Sequence, residues 1–561
     1  MSGSARARVE ASFSRMREVD RPEIWIHLAE RDELLAQADR VDELCSAGVC
    51  LPLAGSVVAV KDNIDVKGMP TTAGCPGFAY LPQEDAMVVA RLRAQGAIIL
   101  GKTNLDQFAT GLVGTRSPYG PVRNAWDTDR ISGGSSSGSA VAVALGIADL
   151  ALGTDTAGSG RVPAALNGIV GIKPTPGLIP VDGVVPACRS IDCVTVFARE
   201  LSAARRAVEV AQGLDAADDS AADGRPESAL AARPRLAVPT RRALGELAAG
   251  WEEAFEGVVA GYRASGAQIE RVDISPMLEA AEMLYGSSFV AERYSAVGTF
   301  IEEHQQDIGR GLDSTVSGII LAGKQHRASQ LFDDQSRLAD LTRQALALLE
   351  PFDALLTPTT VGHPTIEQVE NEPVAQNARL GRFTNFANLM GMCALAFPAG
   401  TVAGLPFGVM LTGRALEDRK LAELARFRDR QPVRLVVFGL HRLGQPLNHE
   451  LVAAGADFLG PIHTAPAYRL RLLAGEPARP GLVAADPGQG VSVEGELWQL
   501  PIGALGGFLT GLPAPMTLGA IQLAGGDSAI GFLCTAPATA LGVDISGSGG
   551  WRTWVGGDAT V

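Results

Sequence analysis

Residues 131–140 read ISGGSSSGSA, a composition that ordinarily marks a flexible spacer between domains. The chain runs from there directly into AVAVALGIADLALGTDTAGSGRVPAALNG, small and apolar, with the texture of a tightly packed core. Linkers seldom run straight into cores. The Gly/Ser run is therefore read as part of a folded centre.

At 561 residues, 46% of them hydrophobic, the chain is too long for one ordinary domain and can bury at least one sizeable core. Its 48 basic and 62 acidic residues leave a net charge of −14, which gives no electrostatic support to a phosphate-tracking surface. Nucleic acid is not expected as a partner. The seven cysteines, at 45, 50, 75, 188, 193, 393 and 534, form no CxxC pair and no zinc-type spacing with histidine, and read as reduced cytosolic thiols. No metal site and no cofactor are expected. The N-terminus lacks the apolar core of a signal peptide, and no stretch reaches the roughly 18–20 uncharged apolar residues of a membrane span. These features predict a soluble cytoplasmic protein.

Residues 5–46 read as one or two amphipathic helices. From residue 55, short apolar runs alternate with helical stretches: SVVAVKDN, then VVARLRAQG, then AIILGKTN. That alternation predicts a mixed α/β core. The acidic, alanine-rich stretch 214–234 reads as a surface excursion, helical patterns dominate 242–350, and PFDALLTPTT restores a strand. A charged connecting helix is expected over 414–432, closed by Pro432. Beyond it come short strand-like runs with Gly/Pro turns, an all-β texture. The expected domains are 1–432 and 433–561.

Residues 96–103, GAIILGKT, match the phosphate-loop expression letter for letter. The physics disagrees. A phosphate loop needs a strand before its first glycine and free N–H groups between the glycines. Here the intervening AIIL reads as a buried strand and the preceding VVARLRAQ as a helix, so no nucleotide site is assigned.

Three polar groups sit in small or apolar company: Lys61 in SVVAVKDN, Ser135 in the Gly/Ser run, and Ser159 in GTDTAGSGR. Singly, each has an ordinary explanation as a solvated strand end or a turn residue. Together, VAVKDNIDVKGMPTTAGCP, SGGSSSGSAVAV and GTDTAGSGRVPAALNGIVGIKPT resemble the amidase signature family in order and spacing. The resemblance implies an α/β fold with a mixed central sheet flanked by helices. It also implies Ser159 as nucleophile, Ser135 as bridging serine after a cis Gly134–Ser135 peptide, and Lys61 as base. That chemistry is self-consistent, since a serine hydroxyl needs a base within hydrogen-bond reach and a lysine is a base only when burial keeps it uncharged. Backbone N–H groups of Thr156, Ala157, Gly158 and Ser159 would form the oxyanion hole. Ala157 stands where many family members have glycine. Arg161 either binds an anionic substrate or holds the loop by pairing with Asp155.

GSGRVPAALNG, PVDGVVPACRSIDCVTVFA and the C-terminal region resemble the allophanate hydrolase branch of that family. The resemblance implies cleavage of allophanate (urea-1-carboxylate), a small anion, to ammonia and carbon dioxide, in a homodimer supplied by a separate urea carboxylase. Tyr285 and Arg293 lie eight positions apart in a helical region, about two turns apart on neighbouring faces. The resemblance makes them substrate-binding residues, while the residues alone fit equally a core tyrosine and a surface arginine. Residues 434–554 resemble a small β-barrel-like α+β domain related to gamma-glutamylcyclotransferases. The acidic residue that cyclotransferases place shortly after the VEGELWQLP-type strand is not evident. The implied task is decarboxylation of N-carboxycarbamate with a histidine: His449 in GQPLNHEL fits best, His441 and His463 less well. The competing readings are a broad-specificity amidase, the glutaminase subunit of a tRNA-dependent amidotransferase, and a non-catalytic amidase-like scaffold.

Overall fold

The structure is a computed structural model that describes residues 4–212, 230–231, 233–428, 433–473, 477–500, 505, 511–535 and 542–556. Most of the acidic stretch 214–234, Pro432 and much of the segment after VEGELWQLP lie outside the described residues. The chain forms two compact units, the first holding most of the chain up to Ala425 and the second running from Arg426 onward, with Leu230–Pro234 and Val259–Ile269 added. Among the described residues, no helix is long and apolar enough to cross a membrane.

The larger sheet has eleven strands: β1 (Trp25–Leu28), β2 (Val57–Lys61), β3 (Ile98–Thr103), β4 (Leu150–Asp155), β5 (Val170–Lys173), β6 (Cys193–Ala198), β7 (Arg235–Pro239), β8 (Gln268–Val272), β9 (Ala354–Pro358), β10 (Cys393–Val402) and β11 (Leu405–Gly413). Their order across the sheet is β1-β3-β2-β4-β6-β5-β10-β11-β9-β7-β8. β2 runs parallel to both β3 and β4, and the pairings of β4 with β6 and of β5 with β10 are antiparallel, so the sheet is mixed. Every residue of β2, β3, β4 and β6 is buried, which is why these strands read as apolar runs without alternation. The GAIILGKT match is β3 itself, and its Lys102 is wholly buried against Asp62, Nζ to Oδ1 3.0 Å.

The Gly/Ser run passes at Ser137 into the helix Ser137–Ala144, SGSAVAVA, buried through Val143. A Cβ at Gly138 would overlap the Ile24 carbonyl oxygen, so this helix presses on backbone and tolerates only small side chains. Ser139 Oγ donates to the Leu152 carbonyl at 2.9 Å and Ser137 Oγ to that of Asn104 at 3.3 Å. The serines knit strands together.

Three expectations change. The N-terminal stretch holds two helices, Ala5–Val19 and Arg31–Ser46, with the four-residue β1 between them. The helical stretch 242–350 contains β8, an edge strand of pattern QIERV whose exposed face hides its period. The connecting helix, expected over 414–432, spans Asp418–Phe427 among the described residues; it starts late because Leu416 takes a left-handed φ of 66° that no helix interior accepts.

In the second unit, β12 (Val433–Val437), β13 (Asp457–His463), β16 (Glu494–Leu500), β17 (Met516–Gln522) and β18 (Ser528–Cys534) form a sheet ordered β13-β16-β12-β18-β17. A hairpin of β14 (Tyr468–Leu473) and β15 (Arg479–Ala484) accompanies it. β13 and β17 are the edges, yet the chain just beyond them meets at a Thr464–Leu523 bridge, with Ala524 N–H donating to the His463 carbonyl at 2.9 Å. The result is a partly closed, barrel-like sheet.

Candidate active site

β2 and β4 are parallel neighbours, so their C-terminal ends, carrying Lys61 and Asp155, open at the same edge of the sheet. The Gly/Ser run lies over that edge. Lys61 Nζ donates to Ser135 Oγ at 2.8 Å and to Thr154 Oγ1 at 2.7 Å, and Ser135 Oγ donates to Ser159 Oγ at 2.9 Å. Lys61 and Ser135 are fully buried and Ser159 is 2% exposed. The Gly134–Ser135 peptide is cis. Groups far apart in sequence thus form one line of hydrogen bonds.

Burial pushes the Lys61 ammonium down to about 7, against the opposing pull of the Asp106, Asp155 and Asp192 carboxylates, and the Arg293 cation adds to the lowering. A neutral amine with its lone pair towards Ser135 is therefore accessible near neutral pH. Asp106 is itself buried, and burial pushes its carboxyl up. It accepts the N–H groups of Val113, Gly114 and Arg116 at 3.0–3.1 Å. A Cβ at Gly134 would overlap Asp106 Oδ2, so glycine is required where the Gly/Ser run crosses this carboxylate.

The turn from β4 into the helix Val162–Asn167 holds Thr156, Ala157, Gly158 and Ser159, all within 2% exposure where side chains are present. Thr156 Oγ1 donates to Asp192 Oδ1 at 2.5 Å, and Asp192 is in turn held by the N–H groups of Ala187 and Cys188. Burial pushes the Asp192 carboxyl up. Gly158 has φ of 153° and lies so close to Thr384 that a Cβ would overlap its Oγ1. Of the two roles open to Arg161, the geometry is that of a loop anchor. Its Nε and Nη2 donate to Asp155 Oδ2 and Oδ1 at 2.9 and 2.8 Å, Nη2 also donates to Asn388 Oδ1 at 2.7 Å, and Nη1 donates to the Thr384 carbonyl at 2.9 Å.

Tyr285 and Arg293 do meet, but not on one helix. The helix Ser275–Gly286 ends at Ser287, which is extended, and a new helix begins at Ala291. The break folds Arg293 back, so that Nη2 donates to the Tyr285 hydroxyl at 3.2 Å and the guanidinium lies 5.0 Å from the ring centroid. Arg293 is 1% exposed, Nη1 donates to Thr110 Oγ1 at 2.9 Å, and Nε has no partner. Thr110 precedes Gly111, whose carbonyl lies 3.5 Å from Ser159 Oγ.

Thr154, Asp106, Asp192 and Thr110 escaped the sequence reading. Alternation along β4 was the available signal for Thr154, since it sets Thr154 and Asp155 on opposite faces. The others come from loops distant in sequence. In the second unit, His449 is exposed at the start of the helix Asn448–Ala453, with Nδ1 against the Pro446 carbonyl at 2.9 Å. His441 is half-buried, stacks on Phe532 and bonds Glu450 Oε2 through Nε2 at 2.9 Å. His463 is exposed at the end of β13.

The Amidase family profile matches residues 7–422, and the profile described as allophanate hydrolase C-terminal domain matches residues 433–556. A urea amidolyase of Saccharomyces cerevisiae is 39% identical over 572 residues, covering 94% of this chain but 31% of that protein, so the chain spans about a third of this relative's length. A glutamyl-tRNA(Gln) amidotransferase subunit of Symbiobacterium thermophilum is 36% identical over 449 residues, covering 74% of this chain and 91% of its own. Among solved structures, Kluyveromyces lactis allophanate hydrolase superposes with a TM-score of 0.70 at 36% identity, covering 99% of this chain and 97% of that one. The line of polar groups at the sheet edge thus sits in a fold shared along its whole length with such enzymes, and the chain belongs to the amidase family, its amidase portion followed by a domain of the allophanate hydrolase C-terminal type.

Proposed function

We propose that the chain hydrolyses allophanate, with Ser159 as nucleophile, Ser135 as proton relay and Lys61 as base. The observation that carries this is the unbroken line from Lys61 Nζ to Ser159 Oγ, 2.8 and 2.9 Å per link, ending on an amine with a pKa of about 7. Ser159 Oγ attacks the terminal carbonyl carbon while its proton passes through Ser135 to Lys61. The proton returns to the leaving nitrogen, the C–N bond breaks and ammonia departs, leaving the carbonyl esterified on Ser159. Water, deprotonated by the same relay, attacks that ester; the C–Oγ bond breaks and N-carboxycarbamate leaves. The N–H groups from Thr156 to Ser159 carry the oxyanion in both halves, each donor contributing about 100–1,000-fold in rate. Arg293, buried with an unpartnered Nε and hydrogen-bonded to Tyr285, suits the substrate carboxylate.

The likeness to allophanate hydrolase across both portions of the chain supports this substrate over glutamine, because the amidotransferase relative covers 74% of the chain. In this reading the second unit decarboxylates N-carboxycarbamate, with His449 as its working histidine, and allophanate comes from carboxylation of urea elsewhere. The test is ammonia release from allophanate, malonamate, glutamine and a neutral aliphatic amide, with Ser159→Ala as control. Turnover confined to allophanate and absent in the variant is expected. Preference for neutral amides replaces this reading with that of a general amidase, and preference for glutamine with that of a glutaminase subunit. For the second unit, His449→Asn should leave the first ammonia unchanged and delay carbon dioxide; unchanged carbon dioxide release removes His449 from the reaction.

A further inference from the structure

The tyrosine that holds Arg293 has a second face. It lines a cavity of about 720 Å³ whose wall also carries Arg379, Arg382 and Asn385, with Glu246 and Glu282 exposed at its rim. The space far exceeds what one small amide fills, so it holds more than the reacting group. Arg382 is half-buried, its guanidinium donating once, to the Ala243 carbonyl at 2.9 Å, and resting 5.7 Å from the Phe383 ring centroid; its Nε is sealed from solvent without a partner. Among the described residues neither Arg382 nor Arg379 makes an ion pair, unlike the buried Arg161 and Arg442. A half-buried guanidinium without a carboxylate is a ready partner for an anion. Asn385 is 6% exposed, its Nδ2 donates to the Ala281 carbonyl at 3.3 Å, and its Oδ1 accepts nothing. Asn385 thus lines the same cavity as an amide with one weak hydrogen bond. A half-buried guanidinium with one hydrogen bond, beside the exposed Arg379 and the Asn385 amide on one cavity wall, suits a small ligand that carries a carboxylate next to amide groups.

The segment that supplies these groups continues straight into the chemistry. Thr384 packs on Gly158, and Asn388 holds Arg161 and the Asp155 carbonyl. We infer that this cavity is a second subsite for a small ureido or amido carboxylate, in which Arg382, with Arg379 and Asn385, holds the anion outside Tyr285 before it passes inward to Arg293. The subsite rests on the reading of the chain as an amidase for such a carboxylate. Arg382 acts there on capture and not on the bond broken.

The experiment is steady-state kinetics of the full chain on allophanate over a range of ionic strength, for wild type, Arg382→Gln and Arg382→Lys, with thermal unfolding confirming the fold of each. Arg382→Gln should raise KM about tenfold with kcat within about twofold and flatten the salt dependence of kcat/KM, and Arg382→Lys should recover most of the loss. An unchanged KM, or a fall in kcat as large as the change in KM, overturns the subsite while leaving the amidase reading intact. If the wild type does not turn over allophanate, the amidase reading fails by itself. The subsite is then read from calorimetric binding of malonamate to Ser159→Ala with and without Arg382→Gln: about tenfold weaker binding supports it, and equal binding overturns it.

Discussion

Replacing Lys61 by methionine should abolish amide hydrolysis while making the protein more stable at neutral pH than at alkaline pH relative to wild type. Lys61 has an ordinary pKa of 10.5 and a folded-state value of about 7. At about 1.36 kcal/mol for each pH unit, the native state gives up about 5 kcal/mol to keep this amine buried where both states hold the proton. Below about pH 7 both states hold the proton and the penalty is complete. Between about pH 7 and 10.5 only the unfolded lysine is protonated, so unfolding takes up a proton and wild-type stability rises with pH. Methionine has no such dependence. Its loss of the bonds to Ser135 and Thr154 costs about 1–3 kcal/mol for each buried hydroxyl left unpaired, but that cost is the same at every pH. The advantage of the variant over wild type should therefore shrink by about 2 kcal/mol between about pH 7 and about pH 9. Urea unfolding of both proteins at the two pH values reads this directly, because all other titrating groups cancel in the difference. A difference that stays constant across the range refutes the argument that burial holds Lys61 neutral.

The same pKa sets activity: kcat/KM for amide hydrolysis should rise about tenfold per pH unit below neutrality and level off above an inflection near 7, read from initial rates of ammonia release. Arg293→Gln, by removing a cation that lowers Lys61, should move that inflection upward besides weakening substrate binding. Thr154→Val keeps the shape of the residue but removes the second acceptor of Lys61 Nζ, so kcat should fall about tenfold with little change in KM. Gly158→Ala, at a φ of 153° and with the new Cβ forced on to Thr384 Oγ1, should displace the oxyanion turn, losing about 100-fold or more in kcat together with about 1–3 kcal/mol of stability by urea unfolding.

Much of the central sheet was legible because its physics is local. Residues 57–61, 98–103 and 354–358 are apolar strands buried on both faces, and nothing in their neighbourhood competes with that reading. β1 and β8 were not legible, since a four-residue strand among helices and an exposed edge strand carry no period of their own. The letter match at GAIILGKT shows the converse: spacing without the required strand and turn is empty, and Lys102 ends in a buried pair with Asp62.

Lys61, Ser135 and Ser159 stood out in the sequence as polar residues in small or apolar company, but it was the order and spacing of their segments, which resemble the amidase signature family, that gave them roles. What the sequence by itself determined was this inventory, the Gly and Ser positions that let backbones approach within the run, and an acidic balance that gives no support to a phosphate-tracking surface. Tertiary structure alone decided the rest. Asp106, Asp192 and Thr384 reach the site from separate loops, the break at Ser287 turns Arg293 back on to Tyr285, and Arg382 meets an open cavity instead of a carboxylate. A pKa, an ion pair or an unpaired donor is a property of what surrounds a group in three dimensions, and the neighbours that set these lie as far away along the chain as Thr384 does from Arg161, 223 residues, beyond the reach of any local pattern.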